Sequence, residues 1–205
     1  NSTFLFSREG RTGNASTLSA SGFENEILGY NNIGLAEVVT GSSSAYEENS
    51  LSYMARVNYS FLSRYMFTGT VRRDGFSGFG AGNKWATFPS WVLTDEPFLD
   101  NMDVYLKLRT SYGKNGNQGI GRYSSLSRMG TRYYVYGQST AIGLYPSNLG
   151  NVNLAWETTT SYNLGLDFGF WQNRITGTVN AYTANTTDVL VLRQLPRAAG
   201  YANIW

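Results

Sequence analysis

Two residue types that commonly catalyse reactions are absent from this 205-residue chain. It contains no Cys and no His, which excludes thiol nucleophiles, histidine bases and zinc fingers. A catalytic site could use only carboxylates, Lys, Tyr, Ser or Thr. Ser111 and Lys114 have the S-x-x-K spacing, in which a Lys one helical turn after a Ser can take its proton. These two residues end an alternating stretch, so we expect a strand end rather than a nucleophile and its base.

Glycines and paired carboxylates are the other candidates for chemistry. The run Gly78-Phe79-Gly80-Ala81-Gly82 is similar to a phosphate-binding loop, but no third glycine has the fingerprint spacing and no helical pattern follows. We therefore expect a mobile loop. The pairs Glu47-Glu48 and Asp95-Glu96 could serve a glycosidase only across a cleft, and adjacent residues of a strand point apart. We assign no catalytic, cofactor-binding or metal-binding residue and no cofactor, and we expect no enzyme.

The composition is unusual for a soluble domain. Charged residues make up 15% of the chain, whereas soluble domains carry about 25%. Aromatic residues also reach 15%, and 15 of them are Tyr. The net charge is only +2 and the basic residues are scattered, which makes nucleic acid an unexpected partner. No apolar run is long enough for a transmembrane helix, but strands of about 9–11 alternating residues could still cross a membrane.

The elements that would position these side chains are alternating strands. From Ser161 to Phe170 the residues of one parity are polar or glycine, and those of the other parity are apolar. The apolar residues are Tyr162, Leu164, Leu166, Phe168 and Phe170. The alternation resumes after Trp171-Gln172-Asn173, so we predict a hairpin with a tight turn. A second hairpin is predicted through Leu62-Ser63-Arg64, and a further strand over 104–112. No stretch shows helical periodicity.

Short and long connections alternate along the chain. Short turns are predicted at Leu62 to Arg64, Pro97 to Met102 and Trp171 to Asn173. Glycine-rich long stretches separate them, over 75–84, 113–121 and much of 137–151. A membrane barrel has short turns at one end and long loops at the other. The pattern favours such a barrel, while a soluble β-sandwich that binds carbohydrate through exposed aromatic residues stays open as the alternative.

The alternation of apolar and polar residues is weak over residues 1–50 and clear over much of residues 51–205. Over residues 1–50 Gly, Ser, Asn and Thr dominate, and we predict a mostly irregular, loop-rich segment with short strand pieces. Residues 51–205 are predicted to form the hairpins. On their polar parities lie the charged residues Arg56, Arg72, Lys107, Arg109 and Asp167. These charges would be the solvated face of a sandwich or would line the lumen of a barrel.

An ordered series of short motifs runs along most of the chain. Each motif is weak alone, but their order over roughly residues 18 to 200 is specific. The main ones are Ala55-Arg56-Val57-Asn58-Tyr59-Ser60, Arg72-Arg73-Asp74-Gly75, Phe88-Pro89-Ser90, Asp95-Glu96-Pro97-Phe98, Leu106-Lys107-Leu108-Arg109, Ser111-Tyr112-Gly113, Gly116-Asn117-Gln118, Leu149-Gly150-Asn151, Trp156-Glu157, Asn163-Leu164-Gly165-Leu166-Asp167 and Thr187-Asp188-Val189-Leu190.

This series resembles the barrel region of SusC/RagA-type TonB-dependent transporters, and the resemblance implies a fold, a location and partners. The fold would be an all-β antiparallel transmembrane barrel of about 22 strands with an N-terminal plug. Such a transporter lies in the outer membrane of Bacteroidetes, imports glycans, peptides or similar oligomers, and works with a SusD-like surface lipoprotein as its lid. TonB drives it through the plug. We expect this chain to be only part of the barrel, without plug, TonB box or signal peptide, and with the lipid bilayer against its apolar rows.

Substrate-binding residues are left unassigned. Five aromatic residues in the long stretches could stack on sugar rings or could pack against one another or a partner. They are Phe76, Phe79, Tyr133, Tyr134 and Tyr136. The barrel hypothesis also predicts that Leu166→Arg costs more in a bilayer than Gly165→Arg, because only Leu166 would face lipid.

Overall fold

The chain is built almost entirely from antiparallel β-strands. The computed structural model describes residues 1–25, 27–95, 104–201 and 203–205. Short 3₁₀ turns at Gly29–Leu35 and Arg197–Ala199 are the helical elements of this described part. The strands are β1 (Ser2–Phe23), β2 (Ala36–Phe61), β3 (Tyr65–Phe76), β4 (Trp85–Asp95), β5 (Val104–Asn117), β6 (Arg128–Tyr136), β7 (Ser139–Asn148), β8 (Glu157–Phe170), β9 (Ile175–Thr187), β10 (Arg193–Gln194) and β11 (Asn203–Ile204).

Seven strands form one sheet in the order β1-β2-β3-β4-β5-β8-β9. Neighbours along the chain are neighbours in this sheet, except that the hairpin β6-β7 is inserted between β5 and β8 and forms a sheet of its own. The predicted all-β antiparallel class is confirmed. The chain divides into two compact units, one of residues 9–49 and one of residues 1–8 and 50–205. In the described residues no helix has the length and hydrophobicity to cross a membrane.

The two predicted tight turns that lie within the described residues both contain residues with a left-handed backbone. Leu62 and Ser63 have φ of 54° and 53°, and Trp171, Gln172 and Asn173 have φ of 55°, 58° and 63°. Such a backbone matches the right-handed twist of the two strands that a short hairpin turn joins. The predicted turns are therefore confirmed. The predicted turn from Pro97 to Met102 lies outside the described residues.

The expectation of mostly irregular structure over residues 1–50 is wrong. β1 covers residues 2–23 and β2 begins at residue 36, so the described part of this segment is mostly strand. Nearly all its side chains are exposed. An antiparallel ladder is made by backbone groups, and strands that cover no apolar layer need no alternation of side chains. The sequence therefore carried no periodic signal for these two strands.

One face of the sheet carries the predicted apolar row without any cover. In β8 the side chains of Tyr162, Leu164, Leu166 and Phe170 are exposed, and the same holds for Tyr53, Val57, Tyr59 and Phe61 in β2. A sandwich would bury these side chains under a second sheet. The exposure of the row in the described residues does not favour the soluble sandwich.

The buried hydrophobic side chains gather at the end of the sheet where the long connections lie. They are Phe76, Phe79, Phe88, Leu154 and Trp156. The ring centroid of Trp156 is 5.0 Å from that of Phe79 and 5.5 Å from that of Phe88. We call this set the loop cluster. The glycine run predicted as a mobile loop is instead part of it, because Phe79 is only 1% exposed.

Candidate functional site

Pairs of aromatic rings mark both ends of the apolar face. Beside the turn at residues 62–64, Phe61 and Tyr65 stack with centroids 6.5 Å apart. Further along β2, Tyr53 stacks on Trp85 of β4, with ring centroids 6.1 Å apart. Aromatic side chains prefer a position where one end is apolar and the other is wet. The two pairs therefore delimit an apolar band.

The width of this band follows from the strand geometry. Tyr53 lies directly opposite Arg73, which is eight residues after Tyr65 in β3. Eight residues span about 27 Å along a strand at about 3.4 Å each. For strands tilted by about 35–45° this corresponds to about 19–22 Å across the band. The value is close to the apolar band of an outer-membrane barrel, which is about 25 Å tall.

The neighbouring strands β5 and β8 repeat the same spacing. Tyr112 and Tyr162 lie directly opposite each other in β5 and β8, with ring centroids 5.0 Å apart. Tyr112 is eight residues after Val104, and Tyr162 is eight residues before Phe170, which is opposite Val104. Both strand pairs, β2-β3 and β5-β8, thus place aromatic rings eight residues from the end of the sheet where the short turns lie. This repetition was not recognised from the sequence, although the spacing is present in it.

The opposite face of the sheet carries hydrogen-bonded polar side chains. Across β2 and β3, Thr68 Oγ1 donates to Asn58 Oδ1 at 2.9 Å and Arg56 Nε donates to Thr70 Oγ1 at 3.2 Å. Arg72 Nε donates to Asp74 Oδ1 at 2.8 Å. The polar parity predicted for Arg56 and Arg72 is confirmed. A surface of this kind presents donors and acceptors to water and to polar solutes.

An ion pair on this face joins β5 to β8. Arg109 Nη2 donates to Asp167 Oδ1 at 2.8 Å, and Thr178 Oγ1 of β9 donates to the same oxygen at 2.9 Å. Arg109 also donates to Asn180 Oδ1 at 3.3 Å. The side chain of Arg109 is 40% exposed and that of Asp167 is 24% exposed. One three-strand network therefore holds a cation and an anion on the polar face.

The candidates for nucleophilic and carboxylate chemistry are not assembled into a site. Ser111 and Lys114 both lie inside β5, and Ser111 Oγ accepts a hydrogen bond from Asn163 Nδ2 at 3.2 Å. Asp95 accepts a hydrogen bond from Arg64 Nε at 2.8 Å, and Glu96 lies outside the described residues. Glu47 and Glu48 are adjacent in β2. Within the described residues no cluster of acidic side chains could hold a metal ion.

Polar contacts between connections stabilise the loop cluster. The backbone N–H of Gly80 donates to Leu154 O at 3.2 Å, and Asn83 Nδ2 donates to Asn153 O at 3.1 Å. Trp156 Nε1 donates to Lys84 O at 3.1 Å. The segment before β4 and the segment before β8 are thus joined by backbone as well as side-chain contacts. The cluster is a packed surface at the long-connection end of the sheet.

Glu157 joins a third segment to this end of the sheet. Its Oε2 accepts a hydrogen bond from the backbone N–H of Leu190 at 2.9 Å, and its Oε1 accepts one from Asn117 Nδ2 at 3.2 Å. These two donors, the backbone N–H first, hold the pKa of Glu157 below its ordinary value. Glu157 is thirteen residues before Phe170, about 44 Å along the strand and beyond the apolar band.

The five aromatic candidates for ligand stacking separate into two groups. Phe76 and Phe79 are buried in the loop cluster, at 5% and 1% exposure, so they are packing residues. Tyr133, Tyr134 and Tyr136 lie in β6 and are exposed.

The hairpin β6-β7 occupies most of a stretch that the sequence predicts to be loop. One of its faces is apolar, and the side chains exposed on it are Met129, Tyr133, Val135, Ile142 and Leu144.

Comparison with known proteins gives a consistent result. The family model for the β-barrel of TonB dependent receptor-like proteins matches residues 2–204. TonB-dependent receptor P3 of Formosa agariphila is 37% identical over 191 residues, which is 90% of this chain and 19% of that protein. TonB-dependent receptor SusC of Bacteroides thetaiotaomicron is 42% identical over 157 residues, which is 71% of this chain and 16% of that protein.

A solved structure shows the same fold. The structure of the RagAB peptide transporter superposes with a TM-score of 0.79 at 28% identity, covering 99% of this chain and 23% of that chain. The chain spans less than a quarter of the length of each of these proteins. The sequence resemblance to SusC/RagA-type transporters is thereby confirmed.

Proposed function

Because this chain belongs to the TonB dependent receptor-like β-barrel family, we propose that it forms part of the wall of an outer-membrane transporter for oligomeric nutrients. In this proposal the imported oligomers are glycans, peptides or similar molecules. The solved relative is a peptide transporter and another relative is SusC. In this proposal residues 51–205 form barrel hairpins, and the plug that binds TonB belongs to a part of the protein outside this chain.

The observation that carries this proposal is the contrast between the two faces of one sheet. The apolar face is exposed and is bounded at both ends by aromatic rings. The other face carries the network of Arg109 and Asp167. Burying a large apolar side chain is worth about 1.5–3 kcal/mol, so an uncovered row of them favours contact with lipid. The polar face would then line the lumen.

A SusD-like surface lipoprotein is the proposed lid, and the hairpin β6-β7 is its proposed contact. A two-stranded hairpin is marginally stable alone. Tyr133 lies opposite Ile142, and both are more than half exposed on the apolar face of this hairpin. The hairpin belongs to the long-connection end, which faces outward in such barrels. A partner at the cell surface could therefore cover this face.

The lid contact is tested in the full-length transporter purified with its lipoprotein. The double variant Tyr133→Ser/Leu144→Ser is expected to reduce the amount of lipoprotein that copurifies. Tyr136→Ser is the matched control, because Tyr136 is exposed at 83% but lies on the other parity of β6. If equal amounts of the lipoprotein copurify with the double variant and with the control, the proposed contact is contradicted.

The transport function is tested by deleting the gene that encodes the full-length protein. We expect the deletion strain to lose growth on one class within a defined panel of oligosaccharides and oligopeptides, and the intact gene to restore it. Membrane fractionation should recover the protein with the outer membrane. Unchanged growth on every member of the panel, together with recovery in the soluble fraction, would overturn the proposal.

A further inference from the structure

An apolar groove lies on the exposed apolar face, between the first three strands of the sheet. Phe4 and Phe6 of β1, Tyr53 and Ala55 of β2, and Val71 and Arg73 of β3 line it, and its volume is ≈ 460 Å³. The ring of Phe6 is 5.4 Å from that of Tyr53. Among the described residues that line the groove, only Arg73 is charged.

Within the described residues Arg73, unlike the neighbouring arginines, has no acidic partner. Arg72, the preceding residue, is on the polar face and bonds to Asp74, and Arg64 bonds to Asp95. The contact that the structure records for Arg73 is with an aromatic ring, because its guanidinium carbon is 5.3 Å from the ring centroid of Trp85. Its donors thus remain available to a ligand.

The position of Arg73 fits the boundary of a bilayer. It lies opposite Tyr53, which belongs to the aromatic pair that ends the apolar band on the long-connection side. An Arg in the middle of the band would be costly, whereas an Arg at its edge can reach the headgroups of the lipids. The groove extends from this edge along the apolar face, past Ala55 and Val71 toward the middle of the band.

We propose that this groove binds a membrane lipid whose phosphate headgroup has a net negative charge, with the phosphate on Arg73 and an acyl chain against Phe4, Phe6 and Val71. A guanidinium binds phosphate through two parallel N–H···O hydrogen bonds. The apolar lining suits a hydrocarbon chain, and the rings of Tyr53 and Trp85 suit the headgroup level. The inference rests on the proposed membrane location, because only a chain in a bilayer presents this face to lipid.

The test uses the full-length transporter in nonionic detergent, titrated with phosphatidic acid or phosphatidylcholine of the same acyl chains and measured by native mass spectrometry. We expect Arg73→Gln to weaken phosphatidic acid binding about fivefold, the effect of one basic residue near an anionic surface. Arg56→Gln is the control, because Arg56 is an exposed Arg on the polar face with no acidic partner recorded in the described residues. Ala55→Phe, which fills the groove, should weaken binding without removing charge.

Each result of this experiment supports or contradicts the proposed lipid site. An equal affinity of the wild type for both lipids, or equal losses in Arg73→Gln and Arg56→Gln, overturns the inference. So does complete displacement of the lipid by millimolar inorganic phosphate, because that result would show a site for the anion alone. Folding is checked separately by the heat-modifiable mobility of the barrel in gels. A protein that never shows this mobility contradicts the proposed function, whereas a folded barrel without lipid preference contradicts only the groove.

Discussion

Arg109 bonds to Asp167 diagonally, although neither residue lies directly opposite the other. Arg109 is paired in register with Gly165, and Asp167 is paired with Lys107. The diagonal contact is possible because Gly165 leaves the guanidinium room. A Cβ at residue 165 would lie 3.1 Å from Arg109 Nη2 and 2.7 Å from Asn180 Oδ1. A glycine on the polar parity therefore positions an ion pair of that face.

We expect Arg109 and Asp167 to behave as a coupled pair. Arg109→Gln and Asp167→Asn should each destabilise the folded barrel, and the double variant should lose less stability than the sum of the two, because the same bond is removed each time. Both side chains are partly exposed, so the coupling should shrink at high salt. Guanidinium unfolding of the reconstituted full-length protein measures this. Additive losses at low salt would contradict the pairing.

Leu166→Arg should impair insertion into a bilayer. Leu166 is four residues before Phe170, about 14 Å along the strand and thus near the middle of the apolar band. A cation at that depth costs about 2–4 kcal/mol. Folding of the full-length protein into vesicles, followed by heat-modifiable mobility, measures the cost.

The structure changes the control for this experiment. The sequence suggested Gly165→Arg, but Gly165 is buried beneath Arg109, and any side chain there meets Asn180. Asn163→Arg is the better control, because Asn163 is an exposed residue on the polar parity of β8. Equal losses for Leu166→Arg and Asn163→Arg would count against lipid contact with the apolar face.

Gly80→Ala should loosen the loop cluster, whereas Gly82→Ala should leave it unchanged. A Cβ at residue 80 would overlap the backbone carbonyl of Val152, which cannot turn away as a side chain could. Overpacking of this kind costs about 1–3 kcal/mol. A Cβ at residue 82 has nothing within 4 Å. Hydrogen exchange over residues 76–84 and 151–156 is the measurement, and equal exchange in both variants would refute the packing.

The contact between Glu157 and Leu190 should weaken in acid. The backbone N–H of Leu190 and the amide of Asn117 lower the pKa of Glu157 below its ordinary value of 4.5. A lowered pKa means that the stabilisation is complete above the ordinary value and is lost as the pH falls through the lowered one. Exchange of the Leu190 amide, corrected for its intrinsic pH dependence, should therefore lose protection in that range. Glu157→Gln should lack this transition, and a transition of the same size in the variant would assign it to another group.

The sequence determined the periodic part of this protein. Strand alternation repeats every two residues, so the faces of β3, β5, β8, β9 and the second half of β2 could be predicted from neighbouring residues alone. The turns at residues 62–64 and 171–173 are interruptions of the same pattern. The ordered motifs indicated the family, which the comparisons confirm. These features depend on residues that are close in sequence, which is why they were predictable.

Only the tertiary structure decided the features that depend on residues far apart in the chain. β1 and the first half of β2 pair through backbone groups, so their side chains carried no periodic signal. Phe79 proved to be a buried packing residue because segments some 70 residues away close over it. Gly165 lies directly opposite Arg109 and has no side chain, so Arg109 can reach diagonally to Asp167. Register, packing and the space left by a glycine arise between strands, and no single strand contains them.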